Sequence, residues 1–415
     1  MKVGTGLTLP VIYQPLLQSL AKQFHDQGEG RLALVGGAVR DALLHHQLGE
    51  PWRVPPDLDL VVEGSTDGLL SRLQDTFGPK RVTNVLVHHQ FGTAELRIDG
   101  VLIDLAAART ETYTAPGQNP CVQHGSLDED LARRDFTINA MALVQDPDGS
   151  QLLIDPHGGQ EHLALSHLAF LHGRSVEDDP TRVVRAARYG ARLGFRLAPE
   201  ALRQVEFTLS VWPWAWQFGD AADVVPPALG TRLRMELELL LDREPWAEAL
   251  ALLQAWSAMP LLDPWLQTEP KLTRRLGWAS RLGLPAMAAL VAAASDPIAL
   301  AQRLQMPLQQ RRWLEELLEL RSWLLQEVFS HSWSDWDALE WTRKIEAGRW
   351  SVEAVALAVV DNPPCRRPLL RWWGRWRHVV SPISARELMA EGLRPGPELG
   401  EALRQAREQV LATMR

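Results

Sequence analysis

LVGGAVRDALL at 34–44 and DLDLVV at 57–62 are the stretches on which the reading of this chain turns. Gly36 and Gly37 follow the strand-like run RLALV and open an apolar, helix-forming run. Glycines let a backbone approach a ligand closely, and a helix N-terminus offers unpaired N–H groups and a positive dipole end. Arg40, one turn into that helix, adds a guanidinium fork matched to phosphate oxygens, with Asp41 placed to orient it. Neither GxGxxG nor GxxxxGKS/T occurs, so neither a Rossmann dinucleotide site nor a P-loop is supported.

Asp57 and Asp59 alternate with apolar residues on a predicted strand and so share one face. Their Cα atoms stand ~6–7 Å apart at the usual strand rise. Hard oxygen ligands at that separation suit a pair of Mg²⁺ ions ~3.5–4 Å apart. Asp104 alternates with Ile103 and Leu105 in another predicted strand. Should that strand neighbour 57–62, Asp104 brings a third carboxylate to the same place; otherwise it faces solvent while Asp57 ends a turn. A phosphate-gripping turn beside paired carboxylates points to nucleotidyl transfer.

Two further segments carry charge in a pattern. LARRDFTINAMAL at 131–143 gathers Arg133, Arg134, Asp135 and Asn139 ahead of an apolar run. Arg134 suits a phosphate, and Asp135 and Asn139 suit a ribose; as an alternative, Asp135 caps a helix and Asn139 satisfies a turn. DDPTRVVRAARYGARLGF at 178–195 predicts a helix with Asp179 at its N-cap, Pro180 at its first position and Gly194 at its end. At about 100° per residue, Arg182, Arg185, Arg188 and Arg192 fall within about 120° on one face. Such a stripe repels itself unless anions or carboxylates meet it. Asp179 and Arg182 lie near the helix start, where side chains can read a base edge, yet Asp179 cannot fully cap the helix and fully read a base.

Short β-branched runs alternate with turn signals from 31 to about 155, and Asp99-Gly100 between two alternating flanks predicts a type I′ hairpin. Residues 11–26 predict an amphipathic helix, and helical periodicity takes over after about 163 with breaks at 224–230, 259–264 and 361–368. The fold class is therefore an α/β (α+β) head with a mixed sheet followed by an all-α remainder. Hydrophobic content of 46% and charged content of 23% are ordinary for a soluble globular protein, and no run approaches the ~20 apolar residues of a membrane span. With no signal-peptide pattern at the N-terminus, a cytoplasmic location and no membrane partner are expected. Cys121 and Cys365 are expected to be reduced and structural. The net charge of −8 means that any RNA contact needs local basic charge. Most of the 17 tryptophans follow residue 210 and read as core and helix-contact residues, a minority being available to stack on bases.

Taken together, GGAVRD (36–41), DLD (57–59), IDLAAARTETY (103–113), DLARRDFTINAMA (130–142), DPHGG (155–159), DDPTRVVRAARYGARLGF (178–195) and TRLRMELELLL (231–241) resemble the class II tRNA nucleotidyltransferase family. That family includes CCA-adding enzymes, split CC-adding and A-adding enzymes and bacterial poly(A) polymerases. The tail 384–403 is also similar. The resemblance implies a nucleotidyltransferase head at 1–163 with a helical lead-in at 1–26, a neck at 164–241, a body at 242–330 and a tRNA-binding tail at 331–415. It implies Mg²⁺ at Asp57 and Asp59, with Asp104 beside them. It implies addition of C or A from CTP and ATP to a tRNA 3′ end. Gly36, Gly37, Arg40 and Arg134 would meet the phosphates, with Asp135 and Asn139 nearby. Asp179 and Arg182 would pair with the base, supported by Arg185 and Arg188. Arg109 would stand near a mobile loop, 110–128, that gates the switch between bases. Asp178-Asp179 replaces the Glu-Asp common in relatives, and DDPTR with TETYTAPGQNP resembles the branch containing split-activity enzymes.

The best basic cluster for RNA is 366–378, with Arg366, Arg367, Arg371, Arg375 and Arg377 interleaved with Trp372, Trp373 and Trp376. Its alternative is an amphipathic helix whose tryptophans pack inward. Two rival functions are a small-molecule nucleotidyltransferase, which the long arginine helix and the tail disfavour, and a non-catalytic RNA-binding relative, which three retained carboxylates disfavour.

Overall fold

A computed structural model describes residues 13–25, 30–53, 57–64, 66, 69–88, 92–211, 220, 224–328 and 333–414. Chain contacts divide it into two compact units. One comprises 1–217, 226–232 and 244–258, and the other 218–225, 233–243 and 259–415.

The first unit contains strands β1 (Leu32–Val35), β2 (Leu58–Val62), β3 (Val82–His88), β4 (Thr93–Ile98), β5 (Val101–Ala107), β6 (Arg109–Thr112), β7 (Cys121–His124), β8 (Ala142–Gln145) and β9 (Gln151–Ile154). Its first helices are α1 (Gln14–His25), α2 (Gly37–Leu48), α3 (Leu69–Phe77), α4 (Leu127–Ala132), α5 (Gly159–Ala164), α6 (Ser175–Asp178) and α7 (Thr181–Leu193). Seven strands form one mixed sheet in the order β3-β4-β5-β2-β1-β8-β9, and β6 and β7 form a separate hairpin. Within the large sheet β2 and β5 run parallel and the other neighbours antiparallel. The predicted 11–26 helix is α1; residues 11, 12 and 26 lie outside the described residues.

Strand alternation sorts the two faces of the sheet. Leu60, Leu96, Ile98, Ile103 and Leu105 gather with Leu20 and Phe24 of α1 and Leu73 of α3. On the opposite face Ala33, Val35, Val61 and Val144 pack with Leu127 and Leu131 of α4. Asp59 lies two residues before Val61 and shares that second face. A fully buried Leu or Phe contributes roughly 1.5–3 kcal/mol, so the leucine layer can carry a crowd of like charges on the sheet's other side.

Local chemistry fixes several ends. Ile98 pairs with Val101, and Asp99 (φ 51°) and Gly100 (φ 83°) both take the positive angles of the predicted type I′ turn. Ser126 and Glu129 close a capping box on α4. Gly194 ends α7 in the left-handed conformation, as predicted. The start of α7 differs from the prediction: the helix begins at Thr181, and Pro180 takes the cap position. Asp179 still accepts from Thr181, at 3.1 Å from its backbone N and 2.6 Å from its hydroxyl.

Among its described residues the second unit contains helices and no strand. Helix Val352–Asp361 is buried without a break from Ala354 to Val360. Trp341 is buried and touches Trp336, Trp333 and Trp323 with ring centroids 5.0, 6.1 and 6.3 Å away, so tryptophan here builds core, as expected. Both cysteines are free, Cys365 buried and Cys121 exposed. No helix among the described residues is long and apolar enough to cross a membrane.

Candidate active site

The parallel register of β2 and β5 sets Asp59 opposite Asp104, and the antiparallel register of β4 and β5 sets Glu95 opposite Asp104. Adjacent strands stand about 4.8 Å apart, so three carboxylates form a row across one sheet face. Asp57 precedes β2 by one residue. The row borders a cleft of about 400 Å³ whose lining includes Asp59, Glu95, Asp104, Arg109, Arg133 and Arg134. Burial, then Asp57, then Asp104 push the Asp59 carboxyl up to about 6, against the pull of Arg134. Burial, Asp57 and Glu95 raise Asp104 as well. Hard anionic oxygens crowded at a cleft are the donor set a divalent cation relieves, so these residues fit one. Among the described residues no three His, Cys, Asp or Glu side chains form a ready-made cation cage. Phosphate or water oxygens must therefore complete any coordination. Sequence reasoning missed Glu95, although the hairpin turn at 99–100 already fixes it opposite Asp104.

Gly36 brings the glycine turn against this row. Its φ is 70°, and a Cβ built there would lie 3.1 Å from Asp59 Oδ2 and 3.5 Å from Arg134 Nη1, so a side chain would be strained and crowded. Gly36 caps α2 without a side-chain hydrogen bond. Arg134 donates through Nε and Nη2 to Asp130 Oδ2 at 3.2 and 2.9 Å, which leaves Nη1 beside Gly36. Arg133 donates to Asp130 at 2.7 Å and to Glu111 at 2.9 Å, and Arg109 donates to Glu111 at 3.0 Å. Burial alone would raise the Asp130 carboxyl, but Arg134 and Arg133 hold it below the usual range. Asp130 and Glu111 are thus the anchors of the arginines, and the sequence reading singled out neither.

Arg40, Asp135 and Asn139 differ from their expected roles as open ligands. All three are buried. Arg40 Nε donates to Asp41 at 2.8 Å and Nη1 to Asn139 Oδ1 at 2.8 Å, and its guanidinium lies 5.3 Å from the Tyr189 ring centroid. Asn139 donates onward to Asp135 at 3.1 Å. Asp135, which burial would raise, is held low by Arg185, Asn139 and the Phe136 N–H. Their polar atoms form a chain from α2 to α7 behind the glycine turn, so the turn is braced by them. Asp41 orients Arg40 as the sequence suggests.

The arginine stripe of α7 does meet partners. Arg182 is buried and donates to the Arg133 carbonyl at 3.0 Å. Arg185 stands 3.5 Å from Asp135. Arg188, at 3.3 Å, and Arg192 both reach Glu244. Asp179 spends one oxygen on Thr181 and the other on an ion pair with Arg232. Arg232 also donates to the Gln118 carbonyl at 3.4 Å. Within the 110–128 segment, Gly117 N donates to the carbonyls of Glu177 and Asp178 at 3.3 and 3.2 Å, and Ala228 N donates to the Gly117 carbonyl at 3.0 Å. This loop is therefore tied to the turn that carries Asp179.

The 366–378 cluster belongs to the second unit. Trp372 and Trp376 are buried, matching the amphipathic-helix alternative, while Arg367, Arg371 and Arg375 are exposed. Arg366 donates from Nε to the Val359 carbonyl at 3.0 Å, and Arg377 donates to the Trp373 carbonyl.

Residues 32–168 match the Poly A polymerase head domain. The CC-adding tRNA nucleotidyltransferase of Deinococcus radiodurans is 35% identical over 378 residues, covering 90% of this chain and 82% of the relative. The A-adding tRNA nucleotidyltransferase of Aquifex aeolicus is 34% identical over 246 residues, or 59% of this chain and 27% of that longer protein. Among solved structures, a CCA-adding enzyme in an apo form shares the fold, with a TM-score of 0.75, 23% identity and coverage of 97% of this chain and 93% of that one.

Proposed function

This chain belongs to the tRNA nucleotidyltransferase family that includes the poly(A) polymerases, and from that premise we propose that it is a cytoplasmic, Mg²⁺-dependent enzyme that adds C and A residues to the 3′ end of tRNA from CTP and ATP. The observation that carries the reading is the Asp59–Asp104 register beside Gly36 and Arg134 at one cleft. The tRNA 3′-hydroxyl attacks the α-phosphorus of the bound nucleotide, the new P–O bond forms, and the bond to the departing pyrophosphate breaks. Mg²⁺ held by Asp57 and Asp59, with Asp104 beside them, supplies charge neutralisation. Arg134 Nη1 and the uncapped start of α2 receive phosphate oxygens. Asp130 and Glu111 hold Arg134, Arg133 and Arg109 in place, so the arginines need little reordering as charge develops. Arg40, Asp135 and Asn139 stabilise this floor from behind. Asp179 and Arg182 read the base, with Arg185 and Arg188 steadying them. Arg367, Arg371 and Arg375 contact RNA phosphates.

A narrower reading, addition of CC alone, draws support from the Deinococcus relative, which matches nearly the whole chain. One experiment tests both. tRNAs ending at the discriminator base, at C and at CC are each incubated with Mg²⁺ and CTP or ATP, and the products are sized. Extension through A supports CCA addition, and arrest after CC supports the narrower activity. No incorporation into any of them, without pyrophosphate release, rejects the proposal.

A further inference from the structure

We infer that the face of helix Leu272–Arg281 carrying Arg274, Gly277, Trp278 and Arg281, joined by Arg366 from helix Arg366–Gly374, is a binding site for the phosphate backbone of RNA. At about 100° per residue, those four positions lie within about 100° of arc. Leu272, Leu276 and Ala279 are buried on the other side of the helix. The Arg366 guanidinium lies 3.7 Å from the Trp278 ring centroid, and that of Arg281 lies 5.1 Å from the same centroid. One indole thus organises two guanidinium groups. Among the described residues none of the three arginines has a carboxylate partner; Arg274 instead donates to Asn362 Oδ1 at 3.1 Å. Burial and the nearby charges of Arg274 and Arg281 lower the Arg366 pKa, so the three cations repel one another without internal relief.

Two further observations point to an external anion. Arg366 Nη2 is buried and makes no hydrogen bond, a donor left over after Nε has bonded the Val359 carbonyl. Gly277 sits mid-helix, where glycine is costly relative to alanine, yet a Cβ built there would meet nothing within 4 Å. Packing does not require a glycine at that position, whereas close approach of a ligand backbone does. A phosphodiester chain matches this combination: repeated single negative charges, oxygens for guanidinium edges, and flat groups that tolerate an aromatic neighbour. Exposed Arg367, Arg371 and Arg375 continue the charge along helix Arg366–Gly374. In a chain of net charge −8, so local a concentration supplies the basic surface that RNA binding needs.

The inference rests on the proposal that tRNA is the substrate. The test uses the full chain and a tRNA lacking CCA, with affinity measured across a salt series. Arg274→Gln combined with Arg281→Gln is expected to weaken binding roughly tenfold and to make the log–log salt slope shallower by about two. Gly277→Leu is expected to leave the melting temperature unchanged or higher while weakening binding, which a purely structural role cannot do. At saturating tRNA both variants should incorporate CTP at the wild-type rate. Wild-type affinity and salt slope in the double variant, alongside normal extension by the parent chain, overturn this site alone. A parent chain that extends no RNA removes this site together with the functional reading.

Discussion

Asp59 stands between Asp57 and Asp104 on a sheet face, and burial with those two charges moves its carboxyl from an ordinary 3.8 up to about 6. The sign follows from linkage. The protonated form favours the fold below the unfolded value near 3.8, and that advantage is lost as pH rises through about 6. In the absence of metal, Asp59→Asn should therefore melt higher than the parent at pH 8, by on the order of 2–3 kcal/mol, with the gain shrinking towards pH 5. The same variant should lose nearly all nucleotide incorporation. Equal melting temperatures at pH 8 in a chelator would contradict the crowding of these carboxylates. Arg232 supplies a second test. It holds one Asp179 oxygen while Thr181 holds the other, so the carboxylate has one orientation from which to meet a base. Arg232→Ala should degrade discrimination among the four nucleoside triphosphates by about tenfold while triphosphate KM values rise less, and Lys at 232 should restore part of the selectivity. Uniform loss across all four would make Arg232 a structural brace only. At this scale the sequence was legible where chemistry is local: the Asp-x-Asp pair and the glycine turn announce themselves. Arg40, Asp135 and Asn139 were read as open ligands because their burial depends on partners from distant segments, Tyr189 and Arg185 among them.

Helix α7 shows how a charged element is held in a folded unit. Its valines and Ala187 are buried, and its arginine stripe would be costly without anions. Glu244, whose side chain is 1% exposed, receives Arg188, 12% exposed, and Arg192, 40% exposed. Removing a buried partner strands the opposite charge, whereas an exposed arm contributes little. Glu244→Ala should destabilise the first unit by about 3 kcal/mol in chemical denaturation, and Arg192→Ala by less than about 1 kcal/mol. Comparable losses in the two variants would contradict the assignment of Arg188 as the costly charge. The stripe itself, its glycine stop and the 99–100 hairpin were all visible in the sequence because each depends on spacing within a few residues. The carboxylate meeting the stripe was not, since Glu244 lies 52 residues beyond Arg192.

Over the whole molecule, the change from strand to helix character near 163 is readable, but the grouping of segments into two cores is not. Residues 244–258 join the first unit while 233–243 join the second, with no Pro/Gly/Ser-rich linker between them. The physical link is close packing across a long sequence gap: a Cβ added at Gly190 of α7 would lie 2.8 Å from Leu252 Cδ1. Pairing of that kind leaves no periodic trace. Each unit has its own apolar interior, so unfolding need not be a single transition. The carboxylate row, the glycine turn and the arginines of the cleft all lie in the first unit. A ligand that binds only the folded form stabilises it by about 2.7 kcal/mol at a hundredfold excess over its Kd. For a unit of this size that corresponds to a rise of roughly 5–10 °C. Calorimetry of the full chain should accordingly resolve two transitions, with CTP and Mg²⁺ raising one and leaving the other in place. Asp59→Ala should abolish the shift without lowering the unshifted transition. A single transition that nucleotide moves as a whole would mean that the two cores unfold as one cooperative body.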